Sequence, residues 1–174
     1  MNKKEILELI ETGEGYTLEF KESLSSSIGK DICAFANSSG GKIILGVTDK
    51  GEIKGYKISN RDKSRIHDIT KNMDPSIEVK IEQIGNLGVI FVPEGKNKPY
   101  FVSGHCYIRQ GASSVLLKRD EIRDFFQREN LIQFDRKPNY EFNWEEDFNK
   151  KTFEKFRDIA RIPKDLSREH ILKT

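Results

Sequence analysis

Cysteine is scarce in this 174-residue chain: there are two, Cys33 and Cys106, far apart. Two thiols are too few for a disulfide framework. His105 beside Cys106 has no CxxC or HxxxH companion, and a zinc site takes four clustered ligands. Reduced cytosolic thiols are the expectation. Long apolar runs are missing as well, so neither a signal peptide nor a membrane helix is expected, and a cytoplasmic location is. No G-x4-G-K-[ST] loop occurs, because Gly29-Lys30-Asp31 lacks the upstream glycine and the hydroxyl residue. No GxGxxG follows a strand. No GxSxG or Cys–His arrangement marks a nucleophile. A dominant charge sign is also missing. Thirty basic and 28 acidic residues leave +2, so any attraction to nucleic acid must come from how charge is distributed.

Charge itself is plentiful, at 33% of residues against about a quarter in ordinary globular domains. Hydrophobic residues, at 36%, suffice for one domain with a core and a small appendage. Asn2 and Glu5 predict a capping box, Ile6, Leu9 and Ile10 a helical stripe, and Gly13 its end. Residues 16–20 alternate as a strand, and 24–37 form a helix with Ile28, Ile32, Phe35 and Ala36 on one face. Residues 42–47 read as a buried strand, with 52–56 returning as its hairpin partner after the 49–51 turn. A third helix is expected between Asn60 and Pro75, burying Ile66, Ile69 and Met73. Strands follow at 77–84 and 89–92, and a further hairpin at 100–102 and 106–109. Residues 111–114 form a turn, and a helix runs over 119–128.

Beyond Pro138 the pattern changes. Residues 134–144 look irregular, a helix spans 150–162, and Ser167 caps another that has little chain left to form it. So short a helix is marginal alone, and the reading expects a piece of a longer protein. The element order predicts an α+β (mixed α/β) fold, a mixed sheet with hairpins packed against helices. The expected domains are 1–130 and a C-terminal helical extension or linker, 131–174.

Three carboxylates stand out. Glu14 and Glu19 lie before and on the first strand, and Asp49 closes the 42–48 segment. Converging at one sheet end, they would repel unless a cation sat between them, and such a set suits Mg²⁺ or Mn²⁺. Equally, Glu14 is a solvated side chain and Asp49 a turn residue. Ser39-Gly40-Gly41 ends a helix and opens a strand. It serves as a phosphate-contacting loop of backbone N–H groups or as a tight turn. Arg109 binds phosphate in a bidentate manner or forms an internal ion pair. Lys21, Lys42, Lys96, Lys98, Arg109, Lys118 and Arg119 flank strand ends and loops as candidate nucleic-acid contacts, which would give salt-dependent binding. Tyr100, Phe101 and Tyr107 are candidates for stacking on bases or for the core.

Glu14-Gly-Tyr-Thr-Leu-Glu-Phe-Lys-Glu-Ser23, Ile32-Cys-Ala-Phe-Ala-Asn-Ser-Ser-Gly-Gly-Lys-Ile-Ile-Leu-Gly-Val-Thr-Asp49 and Tyr107-Ile-Arg-Gln-Gly-Ala-Ser-Ser114 together resemble the Schlafen-like, AlbA-type DNA-binding domain over about Glu14 to Phe126. The resemblance implies a single Schlafen-like lobe that binds DNA or RNA. Bacterial and archaeal members usually carry this domain N-terminally, often before an ATP-binding region or a winged helix, and many are described as transcriptional regulators. Some vertebrate Schlafen proteins cleave RNA with a metal-bound Glu/Glu/Asp triad. Glu14, Glu19 and Asp49 fall on those positions, which implies a catalytic and metal-binding role for them, with Lys21 steadying phosphate. Those nucleases join two lobes, so a comparable groove implies a homodimer here. Three readings follow: a nucleic-acid-binding domain, a metal-dependent endoribonuclease, or an oligomerisation and partner-binding domain.

Overall fold

The computed structural model describes residues 2–129, 131, 143, 146–163 and 165–166. It divides into two compact units, Met1–Ile132 and Gln133–Thr174. In the first, α1 (Lys3–Thr12) leads to β1 (Leu18–Lys21), α2 (Ile28–Ala36), β2 (Gly41–Leu45), α3 (Asn60–Lys71), β3 (Lys80–Ile84), β4 (Leu87–Val92), β5 (Tyr107–Gln110), β6 (Ser113–Leu116) and α4 (Arg119–Arg128). In the second unit the described residues include α5 (Lys150–Ile159), with Asn149 as its N-cap. The irregular stretch expected over 134–144, apart from Asn143, and the helix expected after Ser167 lie outside the described residues.

The fold is α+β. One sheet runs β1-β2-β4-β3, and β5 and β6 form a separate hairpin. β1 and β2 are parallel, joined through α2, whereas β4 is antiparallel to both β2 and β3. Strand residues alternate between the two faces. Ile43, Leu45, Ile90 and Val92 pack against α2 and α3 with Ile28, Ile32, Phe35 and Ile66. Leu18, Phe20, Ile44, Leu87 and Val89 face α1, which buries Ile6 and Ile10 there. Each such side chain contributes roughly 1.5–3 kcal/mol through removal from water. A smaller cluster of Cys106, Leu117 and Phe125 seats α4 beside the hairpin.

Local signals place the helix starts well. The Asn2–Glu5 capping box forms, and a second joins Ser59 to Asp62 at the start of α3. Differences arise where pairing is long-range. α2 begins at Ile28, not near Leu24. Residues 52–56 are not a strand: a lone bridge joins Val47 to Ile53. The cause is Gly46. At φ +97 it bends the chain, and a Cβ there would stand 2.6 Å from the Gly55 carbonyl carbon. The Lys54 and Gly55 N–H groups both donate to the Gly46 carbonyl, at 2.8 and 2.9 Å, so the segment crosses β2's end instead of laddering along it. β5 pairs with β6, where the sequence alone predicts a turn; residues 100–102 make only isolated bridges.

Gly46→Ala should therefore lower the unfolding free energy by at least about 2 kcal/mol, since positive φ and backbone overlap both oppose a side chain. The shift of the urea midpoint measures it.

Candidate functional site

β1 carries its polar residues on the face away from α1. Glu19 and Lys21, two residues apart, point towards α2 and the β5–β6 hairpin. Asp31 sits on the core-facing stripe of α2. Arg109 lies on β5 and Ser114 opposite it on β6. These five side chains close a ring. Arg109 Nη1 donates to Glu19 Oε2 at 2.8 Å and to Ser114 Oγ at 3.0 Å. Ser114 Oγ donates to Asp31 Oδ1 at 2.8 Å. Lys21 Nζ donates to Glu19 Oε1 and stands 3.6 Å from Asp31 Oδ2. Arg109 Nη2 also donates to the Gly15 carbonyl at 2.7 Å, and the guanidinium lies 4.6 Å from the Phe35 ring centroid.

Burial shapes the charges in this ring. Desolvation raises the Asp31 carboxyl above its ordinary value, with Glu19 adding to the rise while Lys21 and Ser114 oppose it. For Lys21, burial favours the neutral amine. The hydrogen bond to Glu19 and the charges of Asp31, Glu19 and Glu14 outweigh it, so its pKa rises. Both thiols lie buried near the Asn37 amide. Burial pushes Cys33 up to about 11 and Cys106 to about 12, far from thiolate chemistry at neutral pH.

Glu14 lies close by. Its Oε1 accepts the Phe20 N–H at 2.7 Å on the outer edge of β1. Desolvation raises its carboxyl, and the charges of Glu19 and Asp49 push the same way. The three acidic residues thus sense one another, but they do not converge as ligands. Both Glu19 oxygens are held by cations, and among the described residues no three His, Cys, Asp or Glu side chains gather closely enough to hold a metal. As arranged, the set does not fit a divalent ion.

The other expected contacts divide into two groups. Arg109, open in the sequence between a phosphate contact and an internal ion pair, is an ion-pair partner whose side chain is 0% exposed. Lys21, 23% exposed, is committed to Glu19 and Asp31. Lys98 is committed too, donating to Glu94 and to the Ser38 carbonyl at 2.7 and 2.8 Å. Lys96, Lys118 and Arg119 face solvent, and Lys42 is half-buried. In the Ser39-Gly40-Gly41 turn, the Gly40 N–H donates to the Phe35 carbonyl at 2.9 Å. Gly40 has φ +70, and a Cβ there would meet the Glu94 nitrogen at 2.7 Å. The turn's glycine thus serves close packing, and its amide is not free for phosphate. Ser38 and Ser39 with Lys98, Arg128 and the exposed Tyr16 line a cleft of about 270 Å³ that Glu94 and Glu129 also border. Of the aromatic residues, Tyr100 belongs to the core and Phe101 stacks on Phe126.

Asp31 and Ser114 were missed. Asp31 had a signal: it falls three residues after Ile28 and four before Phe35, on the helix face that should be apolar, where a charge implies a buried partner. Ser114 had none, being one more serine in an expected turn.

An α+β lobe with an ionic centre and cations at its rim defines the class of domain. The Schlafen, AlbA_2 family profile matches residues 14–118, more than half of the sequence, and the chain belongs to that family. The crystal structure of the DIP2311 protein from Corynebacterium diphtheriae has a similar fold, with a TM-score of 0.50 and 19% identity over 64% of this chain and 24% of that chain. The match spans about a quarter of that protein's length.

Glu19→Gln should destabilise the domain by about 3–5 kcal/mol, because it strands the buried Arg109 charge. Pairing it with Arg109→Met should restore much of the loss. Urea unfolding of the two single variants and the double variant provides the check. The raised pKa of Lys21 contributes stability that is complete below its ordinary value of 10.5 and lost as the pH rises through its higher folded value. Wild type should therefore lose more stability than Lys21→Met as the pH climbs past 10.5, as read from urea midpoints. The raised carboxyls of Glu14 and Asp31 act oppositely: they cost stability at neutral pH and relieve it on acidification.

Proposed function

We propose that this Schlafen, AlbA_2 domain is a nucleic-acid-binding module, acting on DNA or RNA as part of a cytoplasmic transcriptional regulator. It pairs with a second copy where a two-sided groove is needed. Family membership supports the substrate class. The observation that carries binding over hydrolysis is the state of Glu19, whose two oxygens are neutralised by Arg109 and Lys21. A carboxylate so engaged orders the fold, and among the described residues no cluster of acidic side chains gathers around it to hold an ion. The phosphate contacts then fall to the rim: Lys96, Lys118 and Arg119, with Lys42 at the start of β2. Such contacts position a backbone without reading sequence.

End-labelled structured RNA and duplex DNA, incubated with the full chain in Mn²⁺ or in EDTA and run on parallel gels, test this reading. The expected result is a mobility shift that weakens steeply with salt and is the same in EDTA. Replacing Lys96, Lys118 and Arg119 together by Gln should flatten the salt dependence, by about 0.9 in the log–log slope for each duplex phosphate that is no longer neutralised. Cleavage that requires Mn²⁺ would overturn the binding reading in favour of the nuclease. No salt-dependent shift with either nucleic acid would leave an oligomerisation or partner-binding domain.

A further inference from the structure

The α1 face of the sheet holds an arrangement that none of the motifs above contains. In register, Lys42 of β2 lies opposite Phe91 of β4, and Phe91 lies opposite Lys80 of β3. Paired residues on neighbouring strands project from the same face. The row therefore presents an aromatic ring between two lysines, with Leu18 of β1 beyond Lys42. Phe91 is partly buried against the α1-side cluster. Lys80 is 72% exposed, and its ammonium stands 5.8 Å over the Phe91 ring, so that ring face admits a charged group from solvent. Lys42 is half-buried, and among the described residues no acidic side chain pairs with it.

Two depressions meet at this row. One, of about 700 Å³, is lined by Thr17, Ser39, Gly40, Gly41 and Lys80 as well as Lys42 and Phe91. The other, of about 500 Å³, lies against α1, with Glu5, Glu8, Leu9 and Thr12 on its wall and the same Lys42 and Phe91. Acidic groups bound the row: Glu82 Oε1 is 2.8 Å from Lys80 Nζ, and Glu78 lines the larger depression.

We propose that this row is a subsite for an unpaired stretch of nucleic acid, with one base stacked on Phe91 and its flanking phosphates held by Lys42 and Lys80. The proposal rests on the nucleic-acid reading above and assigns a further place for it. The two lysines are two strand spacings apart, about 10 Å, and flexible stems let each swing to a phosphate. The exposed Lys80–Glu82 pair is weak in water and yields to a phosphate. An aromatic face recognises any unpaired base, and such stacking tolerates sequence. Paired bases are closed to it, and Glu5, Glu8, Glu78 and Glu82 leave too little positive surface for a duplex backbone. A single strand is the nucleic acid whose chemistry matches one ring and two cations inside an acidic border.

Fluorescence anisotropy with the full chain tests this, using fluorescein-labelled oligothymidylate, oligouridylate and a duplex of mixed sequence as probes. Phe91→Leu keeps apolar packing but removes the ring, and should weaken both single strands about tenfold while leaving the duplex unchanged. Lys42→Gln and Lys80→Gln should each lower the single-strand salt slope by about 0.7. Near-UV circular dichroism checks that each variant is folded, and photo-cross-linking of 4-thiouridine in the oligouridylate should mark the Phe91 peptide. Preference for one of the two single strands tells DNA from RNA. Salt-sensitive nucleic-acid binding that all three variants retain at wild-type strength would overturn this subsite and leave the module reading standing. Absence of salt-sensitive binding to all three probes would overturn both. A change of oligomeric state by light scattering in Phe91→Leu, with single-strand affinity intact, would also overturn the subsite and make this face a contact between copies of the chain.

Discussion

Arg109 is the residue on which the arrangement of the lobe turns. It sits on a two-stranded hairpin that has no ladder to the main sheet, and it reaches 90 positions back to Glu19 on β1. Its guanidinium is wholly buried. The same group engages Ser114, the Gly15 carbonyl and the face of Phe35, so one planar fork fixes the hairpin, the edge strand and α2 against one another. A buried ion pair seldom adds net stability over an apolar packing of equal shape. What it supplies here is position: only one docking of the hairpin pairs Arg109 with Glu19, and any other leaves the buried Arg109 charge without its partner.

That lock governs the chemistry open to the domain. Glu19 already holds the fold through Arg109 and Lys21, so an ion would have to compete with both cations for its oxygens. The Asp31 carboxyl adds a second negative charge to the ring, and Lys21 and Arg109 balance the two, which leaves the centre neutral. Attraction for a polyanion must therefore come from outside the ring. The basic residues sort themselves accordingly. Arg109 and Lys21 are internal and Lys98 braces a loop against Ser38, whereas Lys96, Lys118 and Arg119 stay in water. A count of lysines and arginines in the sequence cannot make this division, because it depends on which carboxylate each one reaches.

Features that depend on near neighbours were legible. The capping box at Asn2, the apolar stripe of α1, the limits of α4 and the core-facing Ile66 and Met73 all follow from contacts within a few residues. The edge of α3 shifted by one because Ser59, not Asn60, takes the cap. Features set by distant pairing were not legible. Residues 52–56 alternate like a strand, yet the close approach of Gly46 to Gly55 turns them away. Residues 111–114 read as a turn, yet Ser113 and Ser114 pair with Gln110 and Arg109 of β5. Arg109 was open between phosphate contact and ion pair, and only a partner 90 positions away decides it. The cluster of Glu14, Glu19 and Asp49 was legible as a neighbourhood, since their charges do act on one another. The occupation of Glu19 was not, because Asp31 and Ser114 complete the ring from separate elements.

The two faces of the sheet are unequal for the same reason. The α2 face is closed by a dense apolar layer and by the ion ring at its margin. The α1 face is covered by one ten-residue helix, about 15 Å long, whose buried contacts are Ile6 and Ile10. Those two side chains lie one turn apart and seal the middle of the face over Ile44, Leu87 and Val89. The strand ends at Lys42, Phe91 and Lys80 lie past them. An aromatic ring left partly open on a sheet would ordinarily invite a second helix or another chain. Here lysines flank it on both neighbouring strands, which makes apolar docking costly because each ammonium would be desolvated. Lysines beside an open ring oppose an apolar partner and suit a ligand that brings its own negative charge together with a flat face, and an unpaired nucleotide has both.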